Sequence, residues 1–267
     1  MADDFLELTE LADRWQRDLE SWAIPQHILD QASEAPWVHP VAMFTVEGEV
    51  AESLSHQRAR DALPDGGTVL DIGSGGGRAS FALTPVAGEV IAVDHLQGML
   101  DAYAQAATER GVAHREFLGQ WPDVADDVPV ADVVVCHHVA FNVGSIVPFL
   151  QALNDHARHR VVLELPMTHP MSNMNPLWKK FWDLDRPTVP TGYQLADIAK
   201  AMGFDAHLDV WIDETWGQRV DMPDEERIRF ARVRLCLGED RDAEVAAALI
   251  EQQDAKPREV CTLWWDV

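Results

Sequence analysis

A glycine-rich segment reads DIGSGGGR over 71–78, at the end of the apolar run 68–72. Glycines let a backbone turn sharply and approach a ligand closely, and a helix that begins after the turn offers unpaired N–H groups to an anion. A dinucleotide fingerprint would need glycine at position 78, which is Arg. Asp71 would repel a pyrophosphate and suits a cationic ammonium or sulfonium group. We therefore name these candidate ligand contacts: Asp71, Gly73, Ser74, Gly75 and Gly77.

A second carboxylate, Asp94, ends the apolar run 89–94 and lies 21 residues after Gly73. An acid at this distance, at the carboxyl end of a strand, can accept hydrogen bonds from both hydroxyls of a ribose. S-adenosylmethionine combines a ribose with a sulfonium, an ammonium and a carboxylate, so we expect it as the cofactor. The alternative is a flexible glycine turn with two ordinary surface acids.

Candidate catalytic side chains lie at the ends of two later apolar runs. His137 and His138 come directly after 131–136, and Glu164 lies within 160–165. Ligands of parallel sheets bind beyond the carboxyl ends of the strands, so Asn142 and His169 also belong to this region. Either histidine can serve as a general base if the substrate must lose a proton; the alternative is that one ring packs on the cofactor and the other bonds a backbone carbonyl.

The role of Glu164 has two readings as well: it orients a histidine or the substrate, or it pairs with an arginine. A metal-dependent mechanism would need clustered Asp, Asn or His ligands. We find no such cluster, and side chains of adjacent residues such as His137 and His138 point apart in an extended chain. We therefore expect no metal.

The elements that must position these residues alternate between strand and helix. We predict strands over 68–72, 89–94, 112–118, 131–136 and 160–165. The intervening helices include one from the glycine run to about residue 86, one over 96–109 and one over 146–157. This alternation predicts a parallel sheet with helices on both faces. In the last third of the chain, the residue pattern predicts helices over 193–202 and 241–253 and a helical stretch after Pro223. It also predicts a strand over 205–213 and a closing strand over 258–267. If the closing strand lies beside the fifth strand, it is antiparallel to it.

In the N-terminal segment, the residue pattern predicts helices over 3–20, 25–33 and 46–63, and Pro36 and Pro40 interrupt the helical structure. We divide the chain into a helical extension or lid, 1–45, and a catalytic domain, 46–267. Trp15, Trp22 and Trp37 lie in the extension. They either form aromatic walls for a flat or apolar ligand or attach the extension to the core.

Composition limits the class of protein. The 267 residues carry a net charge of −24, and such a surface repels phosphate backbones and anionic lipids. The three cysteines are far apart and odd in number, so we expect neither disulfides nor a zinc site. The chain lacks an apolar run of about 18 residues, and its acidic N-terminus is unlike a signal peptide. We expect a soluble, cytoplasmic protein.

Residues from about 64 to 165 resemble the cofactor-binding half of class I S-adenosylmethionine-dependent methyltransferases. DIGSGGG is similar to the first motif of that family and IAVDHLQGML to the second, while GQWPDV occupies the place of the third and ADVVVCHHVAFNV resembles the fourth. The combination of WPDV, CHH and THP also resembles uncharacterised actinobacterial members. The resemblance implies a Rossmann-like, seven-stranded, mostly parallel sheet. It also implies these further cofactor contacts: His95, Met99 near the adenine, Gln120 on the adenine amine, Trp121 stacked on it, and His137.

Our primary hypothesis is methyl transfer from S-adenosylmethionine to an O, N or C atom of a small molecule. A non-catalytic S-adenosylmethionine-binding or protein-interaction module is the alternative from another class. A nucleotide-dependent oxidoreductase is a third hypothesis, which Asp71 and Arg78 disfavour. We do not expect nucleic acid or a membrane as partner. A protein acceptor stays open because an acidic surface favours basic partners.

Overall fold

A seven-stranded sheet with the order β3-β2-β1-β4-β5-β7-β6 organises the molecule. The computed structural model describes residues 2–37, 46, 48–214, 224–252 and 258–267, with side chains from residue 6 onward. The strands are β1 Thr68–Ile72, β2 Glu89–Asp94, β3 Ala113–Leu118, β4 Ala131–His137, β5 Ala157–Pro166, β6 His207–Asp213 and β7 Arg258–Asp266.

Helices lie on both faces of this sheet. They are α1 Ala2–Glu20, α2 Gln26–Leu29, α3 Leu54–Ala62, α4 Arg78–Phe81, α5 Gln97–Arg110, α6 Ile146–Asp155, α7 Asn175–Trp182, α8 Gly192–Ala201, α9 Asp224–Arg234 and α10 Asp242–Glu251. None of the helices within the described ranges is long and apolar enough to cross a membrane.

Pairing in the sheet is parallel from β3 through β5, and β7 runs antiparallel to both β5 and β6. This order confirms the expected Rossmann-like, mostly parallel sheet and the antiparallel closing strand. Because β1, β2 and β4 are parallel neighbours, their carboxyl ends meet at one edge of the sheet. The glycine loop, Asp94 and His137 therefore lie at the same edge.

Two apolar cores form because successive side chains of a strand point to opposite faces. Leu70 and Ile72 of β1 face a core that also includes Trp15 of α1 and residues of α6 and α8. Val69 faces the other core, against α3, α4 and α5. A third cluster joins α2, α7, α9 and α10 beside the sheet. The three cysteines are buried and free.

Several predicted helices are shorter in the structure. The helix predicted over 46–63 begins only at Leu54, because Gly48 has a φ of +67°, which is outside helical geometry, and Ser53 is extended as the N-cap. The helix predicted over 25–33 is restricted to α2, and the helix predicted to reach about residue 86 after the glycine loop ends at Phe81. His39, Pro40 and Pro223 lie outside the described residues.

Candidate active site

The glycine loop connects β1 to α4, and three of its glycines adopt a left-handed conformation. The φ angles are +68° at Gly73, +50° at Gly75 and +90° at Gly77. A Cβ atom on Gly73 would overlap the side chain of Val139, which follows β4. Glycine at 73 is thus required both by backbone geometry and by the close approach of two loops. The glycine loop lies tightly against the segment that carries the two histidines.

Asp94 holds this loop through its carboxylate. Its Oδ2 accepts a hydrogen bond from the N–H of Gly75 at 3.0 Å, and its Oδ1 accepts one from the N–H of Leu96 at 2.9 Å. Each carboxylate oxygen has two acceptor sites, so one site on each oxygen is left for a ligand. The exposed ring of His95 lies beside it, with Nδ1 3.4 Å from Oδ1.

Asp71 lies below the loop, in the interior. It accepts a hydrogen bond from the Ser80 hydroxyl at 2.8 Å, and that hydroxyl is 2.8 Å from the hydroxyl of Tyr103. Burial raises the pKa of Asp71 to about 7, an effect that the Ser80 hydrogen bond partly offsets and the nearby Asp94 reinforces. The alternation of β1 turns the carboxylate toward α4 and α5, and direct contact of Asp71 with a cationic ligand stays a prediction.

The other expected cofactor contacts are dispersed. Ser74 is buried in the loop, and its hydroxyl has no hydrogen-bond partner among the described residues. Gln120 is exposed after β3. Met99 is buried in the first turn of α5. Trp121 is buried too, with its ring edge-on to His156 at a centroid distance of 4.8 Å, so its ring contributes to the core of the sheet.

The structure brings the three expected catalytic residues together. Glu164 Oε1 lies 3.2 Å from Nε2 of His138 and 3.9 Å from Nδ1 of His137. The backbone N–H of His138 also donates to the carbonyl of Glu164 at 2.6 Å. His138 has a φ of +62°, so the chain leaves its extended path at this residue. That turn is the reason why adjacent side chains, expected to point apart, both approach one carboxylate.

Glu164 is charged despite its burial. Its side chain is 3% exposed, and burial alone would raise its pKa. The attraction of His137, the hydrogen bond and attraction of His138, and the hydroxyl of Ser53 outweigh that effect and hold the pKa well below its ordinary value. In the described part of the chain its ion-pair partners are histidines, not the arginine that the sequence left open.

Two residues of this cluster, Ser53 and His56, were missed in the sequence. The Ser53 hydroxyl donates to Oε2 of Glu164 at 2.6 Å, and the Ser53 N–H donates to Nδ1 of His56 at 2.9 Å. The His56 ring lies 5.1 Å from that of His137. The spacing of Ser53 and His56 is that of an N-cap and the third helical residue, which signals a helix start but no contact with β5.

Aromatic rings from the N-terminal extension approach the same edge of the sheet. Trp22 stacks on His169 with centroids 4.0 Å apart, and its Nε1 donates to the carbonyl of Val189 at 2.6 Å. Phe141, after β4, is edge-on to His169 at 5.6 Å and stacks with Trp15. Trp37 is 57% exposed. Trp15 and Trp22 thus attach the extension to the core, and Trp22 also borders the ends of β4 and β5.

His169 is uncharged at neutral pH in this setting. Burial, reinforced by the positive charge of Arg186, lowers its pKa to about 4. Its Nδ1 accepts a hydrogen bond from the N–H of Met171 at 3.2 Å. Asn142 is exposed beside this region. No group of three or more potential metal ligands occurs among the residues that the structure describes.

Residues 70–161 match the model of a family described as a methyltransferase domain. A curated relative, an uncharacterized protein of Haemophilus influenzae, is 38% identical over 96 residues, which cover 36% of this chain and 35% of that protein. The matching region therefore spans about a third of the length of this relative.

Solved structures share the fold. The YcgJ protein of Bacillus subtilis aligns with 79% of this chain and 97% of its own, with a TM-score of 0.52 and 16% identity. Coclaurine N-methyltransferase bound to N-methylheliamine and S-adenosylhomocysteine aligns with 98% of this chain and 89% of its own, with a TM-score of 0.52 and 11% identity. Residues 70–161 thus match a class I S-adenosylmethionine-dependent methyltransferase domain, and the strand order forms a Rossmann-like sheet around the glycine loop.

Proposed function

We propose that this protein transfers the methyl group of S-adenosylmethionine to a small-molecule acceptor that loses a proton in the reaction. The observation that carries the proposal is the enclosed pairing of His138 with Glu164, at 3.2 Å, beside the glycine loop. An imidazole paired with a buried carboxylate is suited to proton abstraction, and the His138 side chain, which is 28% exposed, is reached by a small molecule more easily than by a folded partner.

The donor is held at the loop and at the end of β2 in this proposal. Asp94 keeps one acceptor site on each oxygen for the ribose hydroxyls. The Ser74 hydroxyl, buried without a partner among the described residues, fits a polar group of the amino-acid part, because an unsatisfied buried hydroxyl is costly. The chain thus offers donors and acceptors where this ligand needs them. His95, Met99 and Gln120 border the adenine side, whereas Asp71 supports the loop through Ser80.

S-adenosylmethionine supplies an electrophilic methyl group on a sulfonium, and the protein contributes alignment and proton removal. Glu164 Oε1, 3.2 Å from Nε2 of His138, favours the tautomer that keeps its proton on Nε2 and leaves Nδ1 as the basic nitrogen. His138 then takes the proton of the acceptor O–H or N–H, and Glu164 stabilises the resulting imidazolium. His137, 3.9 Å from Glu164, adds to the field that keeps the carboxylate ionised.

Charge and shape support a small acceptor over a nucleic acid. The net charge of −24 opposes approach of a polyanion. The rings of Trp22, His169 and Phe141 provide an apolar border for a flat or apolar molecule. His169 is uncharged at neutral pH, so its ring adds no positive charge to this border.

Methyl-labelled S-adenosylmethionine tests the proposal. The protein is incubated with a panel of small phenols, amines and carboxylates, and separately with total RNA and with a mixture of basic proteins. We expect label in at least one small-molecule product, with equal formation of S-adenosylhomocysteine, and no label above background with His138→Asn. Label in RNA or protein alone would contradict the small acceptor. Donor binding without turnover on any acceptor would favour a non-catalytic module.

A further inference from the structure

Ser53 is separated from Glu164 by 111 positions and still makes the shortest hydrogen bond that this carboxylate accepts, at 2.6 Å. The two residues belong to different elements, the N-terminus of α3 and the strand β5. Both are buried. A bond between an uncharged hydroxyl and a carboxylate in such surroundings is strong and directional.

The two oxygens of Glu164 have different partners. Oε2 accepts from the Ser53 hydroxyl, and Oε1 faces Nε2 of His138 at 3.2 Å. Rotation of the carboxyl group about its terminal torsion, which is a soft torsion, would break both contacts together. The hydrogen bond of the Ser53 hydroxyl to Oε2 therefore also restricts the position of Oε1.

His56 fixes Ser53 in turn. The Ser53 N–H can only donate, so Nδ1 of His56 is an acceptor and the ring proton is on Nε2. Nε2 lies 3.2 Å from the carbonyl of Arg78, the first residue of α4. A chain of hydrogen bonds thus runs from the end of the glycine loop through His56 and Ser53 to Glu164, whose Oε1 lies 3.2 Å from Nε2 of His138.

We propose that Ser53 is a positioning residue of the transfer site, whose hydroxyl holds Glu164 in the orientation that keeps His138 in its catalytic tautomer. The inference rests on the proposed function of His138 as base. Ser53 itself does not touch the acceptor or the donor in this proposal. It links the start of α3, and through His56 the donor loop, to the residue that removes the proton.

Three substitutions test the role of Ser53. Ser53→Gly removes the hydroxyl and keeps a residue that is favourable at an N-cap, Ser53→Thr keeps the hydroxyl, and Ser55→Ala is the matched control. Ser55 is buried on the same helix, but its hydroxyl pairs with that of Thr262 at 2.7 Å and not with the carboxylate. Thermal melts establish that each variant is folded.

The first readout is kcat against pH. The titratable groups that face Glu164 are His137 at the end of β4, His138 directly after it, and Cys261 of β7, with His56 of α3 behind His137. Loss of the hydroxyl raises the pKa of Glu164, because it removes a group that lowers it. We expect Ser53→Gly to have a kcat about tenfold lower, with the acidic limb of its pH profile shifted upward. The KM values and the curves of Ser53→Thr and Ser55→Ala should stay close to wild type.

The second readout needs no acceptor. Long-range proton–nitrogen correlation spectra of the imidazoles, with the His138 signals identified by their loss in His138→Asn, report which ring nitrogen carries the proton. We expect Nε2 in wild type, Ser53→Thr and Ser55→Ala, and a mixture of tautomers in Ser53→Gly. Wild-type spectra in Ser53→Gly would overturn the inference and leave the role of His138 intact. Absence of turnover in wild type would instead overturn the proposed function.

Discussion

The carboxylate of Asp94 accepts a hydrogen bond from the backbone N–H of Gly75 at 3.0 Å. The acid at the end of β2 therefore fixes the loop at the end of β1 before any ligand arrives. Two roles meet in this residue: it organises the glycine loop, and it keeps acceptor capacity for a ribose. A substitution of Asp94 is expected to affect the loop as well as donor binding, so a test of Asp94 needs a measure of folding beside it.

His138 combines a strained backbone with a functional side chain. A non-glycine residue at a φ of +62° costs about 1–2 kcal/mol. We expect His138→Gly to be more stable than His138→Ala by roughly 1 kcal/mol in urea unfolding, because only glycine relieves the strain. Both variants should lose about 10²-fold or more in kcat, because neither has a base. Full turnover in either variant would show that alignment alone carries the reaction.

Asp71 gives the stability of the protein a pH dependence of unusual sign. Its pKa is about 7 in the folded state against an ordinary 3.8, so the folded state binds more protons than the unfolded state between these values. The contribution of Asp71 therefore makes the protein less stable as pH rises through this window, by about 4 kcal/mol in total. Asp71→Asn cannot ionise and still accepts a hydrogen bond from Ser80, so its stability relative to wild type should rise from about pH 4 to about pH 7.

Asp132 provides the control for that measurement. Burial alone would raise its pKa, but the N–H and hydroxyl of Thr68 and the charge of Arg158 lower it. Asp132 therefore stabilises the fold above its ordinary pKa, and Asp132→Asn should be the less stable protein at neutral pH. Each Asn variant removes one carboxylate, so the effect of the net charge is common to these two variants. If the difference in the free energy of unfolding between Asp71→Asn and wild type did not change with pH, Asp71 would not be a buried carboxyl group with a pKa of about 7.

Trp22 tests whether the extension serves the acceptor site. We expect Trp22→Phe to lower the free energy of unfolding in urea by about 1 kcal/mol, because the hydrogen bond from Nε1 to the carbonyl of Val189 is lost. Trp22→Ala also removes the ring from His169, and we expect a higher acceptor KM with unchanged donor affinity. Trp37→Ala, exposed in the structure, is the control. An unchanged acceptor KM in Trp22→Ala would limit the extension to a structural role.

Point substitution tests the role of the extension more clearly than deletion of residues 1–40 would. Trp15 is fully buried in the core on one face of the sheet and donates to the carbonyl of Val143 at 2.8 Å. Deleting the extension would expose that core, so loss of turnover would not distinguish a missing pocket from an unfolded domain. The division of the chain at residue 45 stays a prediction, since 38–45 lie outside the described residues.

The strands were predictable because their signal is local. Short apolar, β-branched runs such as 131–136 are typical of strands buried on both faces, and the acid about 20 residues after a glycine loop follows from the βαβ unit. Helix boundaries were less predictable where single residues decide them, as at Gly48 and Ser53. The start of α3 is set by its extended N-cap, Ser53, for which the apolar pattern has no signal.

The site was predictable in part. His137, His138 and Glu164 follow from their places at the ends of β4 and β5. The contact with Ser53 does not, because it joins positions 111 residues apart. The positive φ of His138 and the inward turn of Asp71 depend on tertiary packing, for which the sequence has no local marker.

The measurement that tests the account most directly is calorimetric titration of S-adenosylhomocysteine into wild type, Asp94→Asn, Asp94→Ala and Glu89→Gln. Glu89 is the first residue of β2, at the end of the strand opposite to Asp94, and it pairs with Arg115. Glu89→Gln should therefore bind S-adenosylhomocysteine with wild-type affinity. Two hydroxyl–carboxylate bonds at Asp94 predict affinity about 10²-fold weaker in Asp94→Ala and a smaller loss in Asp94→Asn. Wild-type affinity in a folded Asp94→Ala protein would contradict the donor site, and with it the assignment of the residues that surround the transferred methyl group.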